Sequence, residues 1–196
     1  FGREFGRSVM PANGAQRLAG IRYSGVLSAS SRRSLMKSCL LQRAFGLRQV
    51  KMKVGYDGDV AALETVRKAL GPKVQIRVDA NMAWTFKQAQ AVMRTMAELG
   101  VQSFEQPLAS GAIEELAALV RTTGLTVMAD ESFNDRVSLQ RLIAKKACTA
   151  VNVRISKCGG LRASICRCRE AAEAGLLVQV GCQVGESSLL SAAQQA

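Results

Sequence analysis

Five charged residues, Lys53, Asp79, Glu105, Asp130 and Lys157, follow one another at intervals of 26, 26, 25 and 27 residues, each at or just past the end of a short apolar run. A strand, a helix and two short loops occupy about that length. One charged group therefore falls at the same end of each successive βα unit. In an α/β barrel that end is the reactive face, built from strand C-termini and the loops that follow them.

The units are legible one by one. Ile21 to Leu27 reads as a first strand and Ser31 to Phe45 as its helix. Val50 to Val54 and a helix from Asp57 to Leu70 follow, then Val74 to Val78 and Thr85 to Leu99, then Val101 to Phe104 and Ala112 to Thr123. Leu125 to Ala129 precedes a helix from Arg136 to Lys146, Ala150 to Ile155 precedes one from Leu161 to Ala174, and Leu176 to Val180 is a seventh strand. Apolar runs alternating with helices that stop at glycine predict parallel strands buried on both faces. A complete eight-stranded barrel usually takes about 250 residues, or about 208 at this spacing; the chain has 196. The expected fold is a TIM-type (β/α) barrel, incomplete, with about seven βα units and no capping domain. A naturally smaller α/β domain is the alternative. Open barrel edges favour association, so a homo-oligomer is expected.

Composition narrows the function classes. The net charge is +12, but residues 1–49 carry nine Arg and Lys against Glu4 alone, and the remainder carries eighteen against fourteen acids. The basic start has no interleaved aromatics or recognition motif, so nucleic acid is not an expected partner. No apolar stretch reaches the ~18–20 residues of a membrane span. Histidine is absent and the six cysteines lack CxxC spacing, which argues against Cys/His zinc sites and an oxidised scaffold. Reduced thiols and a cytoplasmic location are expected.

Asp79, Glu105 and Asp130 end three consecutive strands, and adjacent strands lie about 4.8 Å apart. Three converging carboxylates would repel and raise one another's pKa, and a hard divalent ion such as Mg2+ removes that cost. Helix capping is the alternative for Asp130 and Asn81, but it does not account for three acids in register. Lys53 and Lys157 belong to the second and sixth units, opposite one another in an eight-stranded barrel. Lys51 shares a face with Lys53, and Met52 points the other way. A lysine near a divalent cation and other lysines is expected to have a lowered pKa and to act as a base near neutral pH. A base beside such a site suits removal of a proton α to a substrate carboxylate, through an enediolate, in racemisation, syn elimination or cycloisomerisation.

The ordered pieces Lys51-Met52-Lys53, Asp79-Ala80-Asn81 with Trp84, Glu105-Gln106-Pro107-Leu108, Asp130-Glu131-Ser132 and Lys157-Cys158-Gly159-Gly160 resemble the enolase superfamily, and within it the muconate lactonizing enzyme subgroup. The resemblance implies Asp79, Glu105 and Asp130 as Mg2+ (or Mn2+) ligands and Lys53 as acid/base on one substrate face. It implies Lys157 as acid/base or cationic stabiliser on the other face, with Lys51 contacting the carboxylate and tuning Lys53. Asn81 and Glu131 would sit near the metal and lysines, and Glu186 would meet a lysine or the substrate; capping is an alternative for Glu131, and a helix N-terminal acid for Glu186. The absence of histidine argues against the mandelate-racemase-like branch. Residues 1–20 are expected to be a lead-in or remnant of the family's N-terminal capping domain, and 21–196 a partial barrel. The implied activity is that of a cycloisomerase, racemase, epimerase or syn-lyase acting on a small-molecule carboxylate. The candidates include muconate cycloisomerase, o-succinylbenzoate synthase, dipeptide epimerase and N-acylamino acid racemase, with a weakly active or inactive barrel remnant as the alternative.

Overall fold

A computed structural model describes residues 23–28 and 31–182. The expected lead-in over 1–20 and Glu186 lie outside the described residues. Within them the chain alternates strand and helix throughout: β1 (Gly25–Leu27), α1 (Arg32–Ala44), β2 (Gln49–Lys53), α2 (Asp59–Leu70), β3 (Gln75–Asp79), α3 (Phe86–Glu98), β4 (Val101–Glu105), α4 (Ile113–Thr123), β5 (Val127–Ala129), α5 (Arg136–Lys145), β6 (Ala150–Val153), α6 (Leu161–Glu173) and β7 (Leu177–Val180). All adjacent strands pair in parallel, in the order β1 to β7. The seven strands form a curled half-barrel, as the 26-residue rhythm predicts.

Local chemistry sets the helix ends. Thr85 and Gln88 form a reciprocal capping box on α3, and Asp135 and Ser138 form one on α5. Each satisfies backbone N–H groups that the first turn leaves without partners. Neither Asn81 nor Asp130 is a helix cap. Gly124 ends α4 at φ 66°, a left-handed position that costs glycine little.

The strands refine one expectation. β5 and β6 are buried on both faces, as expected, but over most of the sheet the apolar side is the one toward the helices. Val50 and Met52, Ile76 and Val78, Val127 and Ala129, and Val151 and Val153 are buried in one core with Leu63, Val66, Met93, Met96, Leu116, Leu119, Leu139 and Leu142 of the helices. The other face carries Lys51, Arg77 and Ser103, which pairing places side by side on β2, β3 and β4, and Asn152 of β6. A bulge keeps β4 in phase. Ile76 pairs with Val101, but Arg77 pairs with Ser103, leaving the exposed Gln102 without an opposite number. Because side chains alternate, that extra residue turns Ser103 and Glu105 to the side of Arg77 and Asp79.

The described edge strands are less covered. Val26 of β1 and Leu177 and Val180 of β7 are about half exposed or more. No helix among the described residues is long and apolar enough to cross a membrane.

All six cysteines are free, with Cys166 and Cys182 exposed and Cys39, Cys148 and Cys158 buried. Burial pushes the Cys148 thiol up to about 12, so at pH 8 only about one part in ten thousand is the reactive thiolate. Labelling of the folded chain with a thiol reagent at pH 8 should consume Cys166 and Cys182 first. Cys148 should react only when denaturant is added, as peptide mapping of the labelled sites would reveal.

Candidate active site

The strand ends bring the expected acids to one place. Lys53, Asp79 and Glu105 are direct partners across β2, β3 and β4. Glu105 pairs with Met128, and Asp130 follows two positions later, on the same face. The three carboxylates are 1%, 2% and 0% exposed, a burial that charged groups tolerate only when paired or coordinated.

Each is paired. Lys51 donates to Asp79 Oδ2 at 2.8 Å and to Glu105 Oε1 at 3.3 Å. Asn152 donates to Glu105 Oε1 at 3.0 Å. Lys157 donates to Asp130 Oδ1 at 3.1 Å and to its main-chain oxygen at 3.2 Å. Arg154 Nη2 makes a close ion pair with Asp130 Oδ2 and lies 3.7 Å from Glu105 Oε1. The cluster therefore alternates in sign, with Lys51 beside Asp79 and Glu105 and Arg154 beside Glu105 and Asp130.

A second chain of contacts runs along the rim. Lys53 Nζ donates to Asn81 Oδ1 at 2.8 Å, and Asn81 Nδ2 donates to Glu131 Oε1 at 3.1 Å. Asn81 takes φ 44°, a region asparagine enters more readily than most residues; its backbone N–H meets Asp79 Oδ1 at 3.1 Å. Gln106, fully buried at φ 40°, fixes the next loop. Its Oε1 accepts from the N–H groups of Asp130 and Ser132, both at 3.0 Å, and its Nε2 donates to Leu108 O and Ser132 Oγ, both at 2.8 Å. One amide side chain thus holds the backbone of the strand-four loop against that of the strand-five loop and sets where Asp130 sits.

Burial raises the Glu105 carboxyl above its ordinary value of 4.5; Lys51 pulls it down, and Asp79 and Asp130 push it up further. Lys51 is pulled in two directions. Burial does pull it down, but the charges and hydrogen bonds of Glu105 and Asp79 outweigh burial and raise it above 10.5. Burial lowers Arg77, against the opposing pull of Glu105 and Asp79.

Sequence reasoning ran the sixth strand from Ala150 to Ile155, with Lys157 just past it. The structure ends β6 at Val153 and places Lys157 in the turn beyond it, and the residue that directly follows the strand is Arg154. Arg154, Asn152 and Arg77 were missed. The signal was present: Asn152 and Arg154, like Arg77 and Asp79, stand two apart within otherwise apolar runs, the spacing of one strand face.

The donor set consists of three buried carboxylates, and oxygen donors of this kind suit a hard divalent ion of the Mg2+ type. Among the described residues no three His, Cys, Asp or Glu side chains are gathered closely enough to hold a metal. The carboxylate oxygens turn toward Lys51, Arg154 and Lys157 instead.

The model of the family described as enolase C-terminal domain-like matches residues 35–196. The N-succinyl-L-Arg/Lys racemase of Bacillus cereus is 31% identical over 171 residues, which are 86% of this chain and 46% of that protein. The structure of a dipeptide epimerase from Enterococcus faecalis V583, complexed with Mg and the dipeptide L-Leu-L-Tyr, superposes with a TM-score of 0.86 at 26% identity, over 89% of this chain and 50% of that one. That of muconate cycloisomerase from Pseudomonas fluorescens gives 0.82 at 26% identity, over 89% and 50%. The chain spans about half the length of the relatives it matches.

Lys51→Met removes the shared counter-ion of Asp79 and Glu105 and should cost about 3–5 kcal/mol of stability near pH 7. The raised Glu105 carboxyl favours folding while protonated, below its ordinary 4.5, and this contribution is lost as pH rises through its folded value. The Lys51 contribution is present below 10.5 and lost as pH rises through its own raised value. The penalty of Lys51→Met should therefore shrink below pH 4.5, where Glu105 needs no counter-ion. Urea unfolding of both proteins from pH 4 to 9 reads this difference directly.

Proposed function

The chain belongs to the enolase C-terminal domain-like family, and on that premise we propose that it serves Mg2+-dependent removal and return of a proton α to the carboxylate of a small-molecule substrate. The observation that carries this reading is the register of Asp79, Glu105 and Asp130 on three adjacent strands, buried, with lysines on both flanks. Among the relatives, a racemase of N-succinylated Arg and Lys and a Mg-bound dipeptide epimerase favour an acylated amino acid or dipeptide over a muconate. Racemisation or epimerisation at the α carbon is then the reaction class.

Asp79, Glu105 and Asp130 would hold the ion. When bound, it would anchor the substrate carboxylate and stabilise the negative charge that develops as the proton leaves. Lys53 is the base on one face: it stands at the rim, oriented by Asn81, which is itself held by Glu131. Lys157 approaches from the other flank, through Asp130, and is the acid/base or cationic stabiliser there. Lys51 lies deeper and is committed to Asp79 and Glu105, so its part is to set the field around Lys53 and the substrate carboxylate. Inversion needs an acid/base group on each face of the α carbon, and Lys53 and Lys157 supply that pair.

The test is exchange of the substrate α-proton in deuterated water, screened over dipeptides and N-acyl amino acids, with muconate as the comparison. Lys53→Ala should slow exchange about 10²–10⁴-fold while leaving Mg2+ binding intact. Glu105→Gln should abolish saturable Mg2+ binding by calorimetry. Unchanged metal binding in Glu105→Gln would overturn the assignment of the ligands, and undiminished exchange in Lys53→Ala would overturn that of the base.

A further inference from the structure

Arg154, like Asn152 and Arg77, is an inner-face group that the proposed chemistry does not use, and it lies between two of the acids that would hold the ion. It follows β6 directly, two residues after Asn152, so strand alternation aims it at the carboxylates. Its Nη2 lies against Asp130 Oδ2 and 3.7 Å from Glu105 Oε1. Its side chain is only 14% exposed. Its Nε is buried without a hydrogen-bond partner, although a buried polar nitrogen left unpaired is costly. The guanidinium is thus seated by charge, on two acids, rather than by a complete set of hydrogen bonds.

We propose that Arg154 is a built-in counter-cation that shares the oxygens of Asp130 and Glu105 with the divalent ion, so that the ion binds only as the guanidinium gives them up. The proposal rests on the reading of Asp79, Glu105 and Asp130 as metal ligands. Two cations cannot share one carboxylate lone pair, and like charges at such distances repel strongly in a poorly solvated site. The other cations do not bridge the same acids. Lys51 spans Asp79 and Glu105, and Lys157 holds Asp130 through Oδ1 and its main-chain oxygen. Arg154 joins Glu105 to Asp130, through Oδ2 of the latter. It neutralises the acids when the ion is scarce and sets a threshold concentration for occupying the site.

The experiment is Mg2+ titration by calorimetry of the unsubstituted chain, Arg154→Met and Arg154→Lys, with thermal unfolding of each with and without the ion. Arg154→Met should bind Mg2+ about tenfold more tightly or better. It should melt lower than the unsubstituted chain without Mg2+, and gain more in melting temperature when the ion is added. Arg154→Lys keeps the charge but loses the planar fork, and it should bind at an intermediate affinity; it decides the matter if Arg154→Met does not fold cooperatively. Equal Mg2+ affinity in the variants and the unsubstituted chain would overturn the role of Arg154 while leaving the metal ligands in place. Failure of all three to bind Mg2+ would overturn the ligand assignment itself, and the role of Arg154 with it.

Discussion

Three carboxylates removed from water within one half-barrel make a demand that the rest of the inner face answers. Burial of a charge without a partner is among the most expensive things a fold can do, and here Asp79, Glu105 and Asp130 are all essentially inaccessible. Lys51, Arg154 and Lys157 answer that demand as charges, and Asn152 answers it as a hydrogen-bond donor. These partners arrive from β2, β6 and the turn beyond β6, so the cluster ties the second strand to the sixth across the curl of the sheet. The apolar helix-facing core holds the layers together; the ionic cluster fixes how the strand ends stand relative to one another.

The same arrangement places the counter-charges of the cluster on flexible side chains. A counter-ion provided by a flexible side chain can be exchanged for another cation at modest cost, whereas one provided by backbone cannot. Loop geometry supplies the rigidity the charges lack. Gln106 saturates both ends of its amide within the loops after β4 and β5, and Asn81 connects Lys53 to Glu131 around the rim. Soft charges on stiff loops allow groups to change partners without the frame moving.

Much of this was legible in the sequence because it depends on spacing. The interval between Lys53, Asp79, Glu105, Asp130 and Lys157 gave the repeating unit, the parallel order and the shared end of the strands, and helix bounds fell within one or two residues of those found. Thr85 with Gln88 carried the capping-box spacing, although Asn81 and Asp130 were weighed as caps in their place. What depends on contacts between distant positions was not legible. Arg154 read as part of an apolar run because its partner Asp130 lies 24 residues earlier. The direction of the Lys51 shift was unforeseen because it is set by two acids 28 and 54 residues away. No local pattern announced that Gln102 stands outside the ladder.

That unpaired glutamine has a consequence for how such a chain can change. Strand four carries one residue more between Val101 and Ser103 than β3 has between Ile76 and Arg77. Removing Gln102 would leave Ser103 opposite Arg77 and Glu105 opposite Asp79 in plain alternation, so the strand can lose a residue at this point and keep its phase. Drawing Gln102 into the ladder without removing a residue is the damaging change: it would exchange the two sides of the strand, with Phe104 toward the acids and Glu105 toward the helices. The site therefore depends on the bulge staying open rather than on the length of β4.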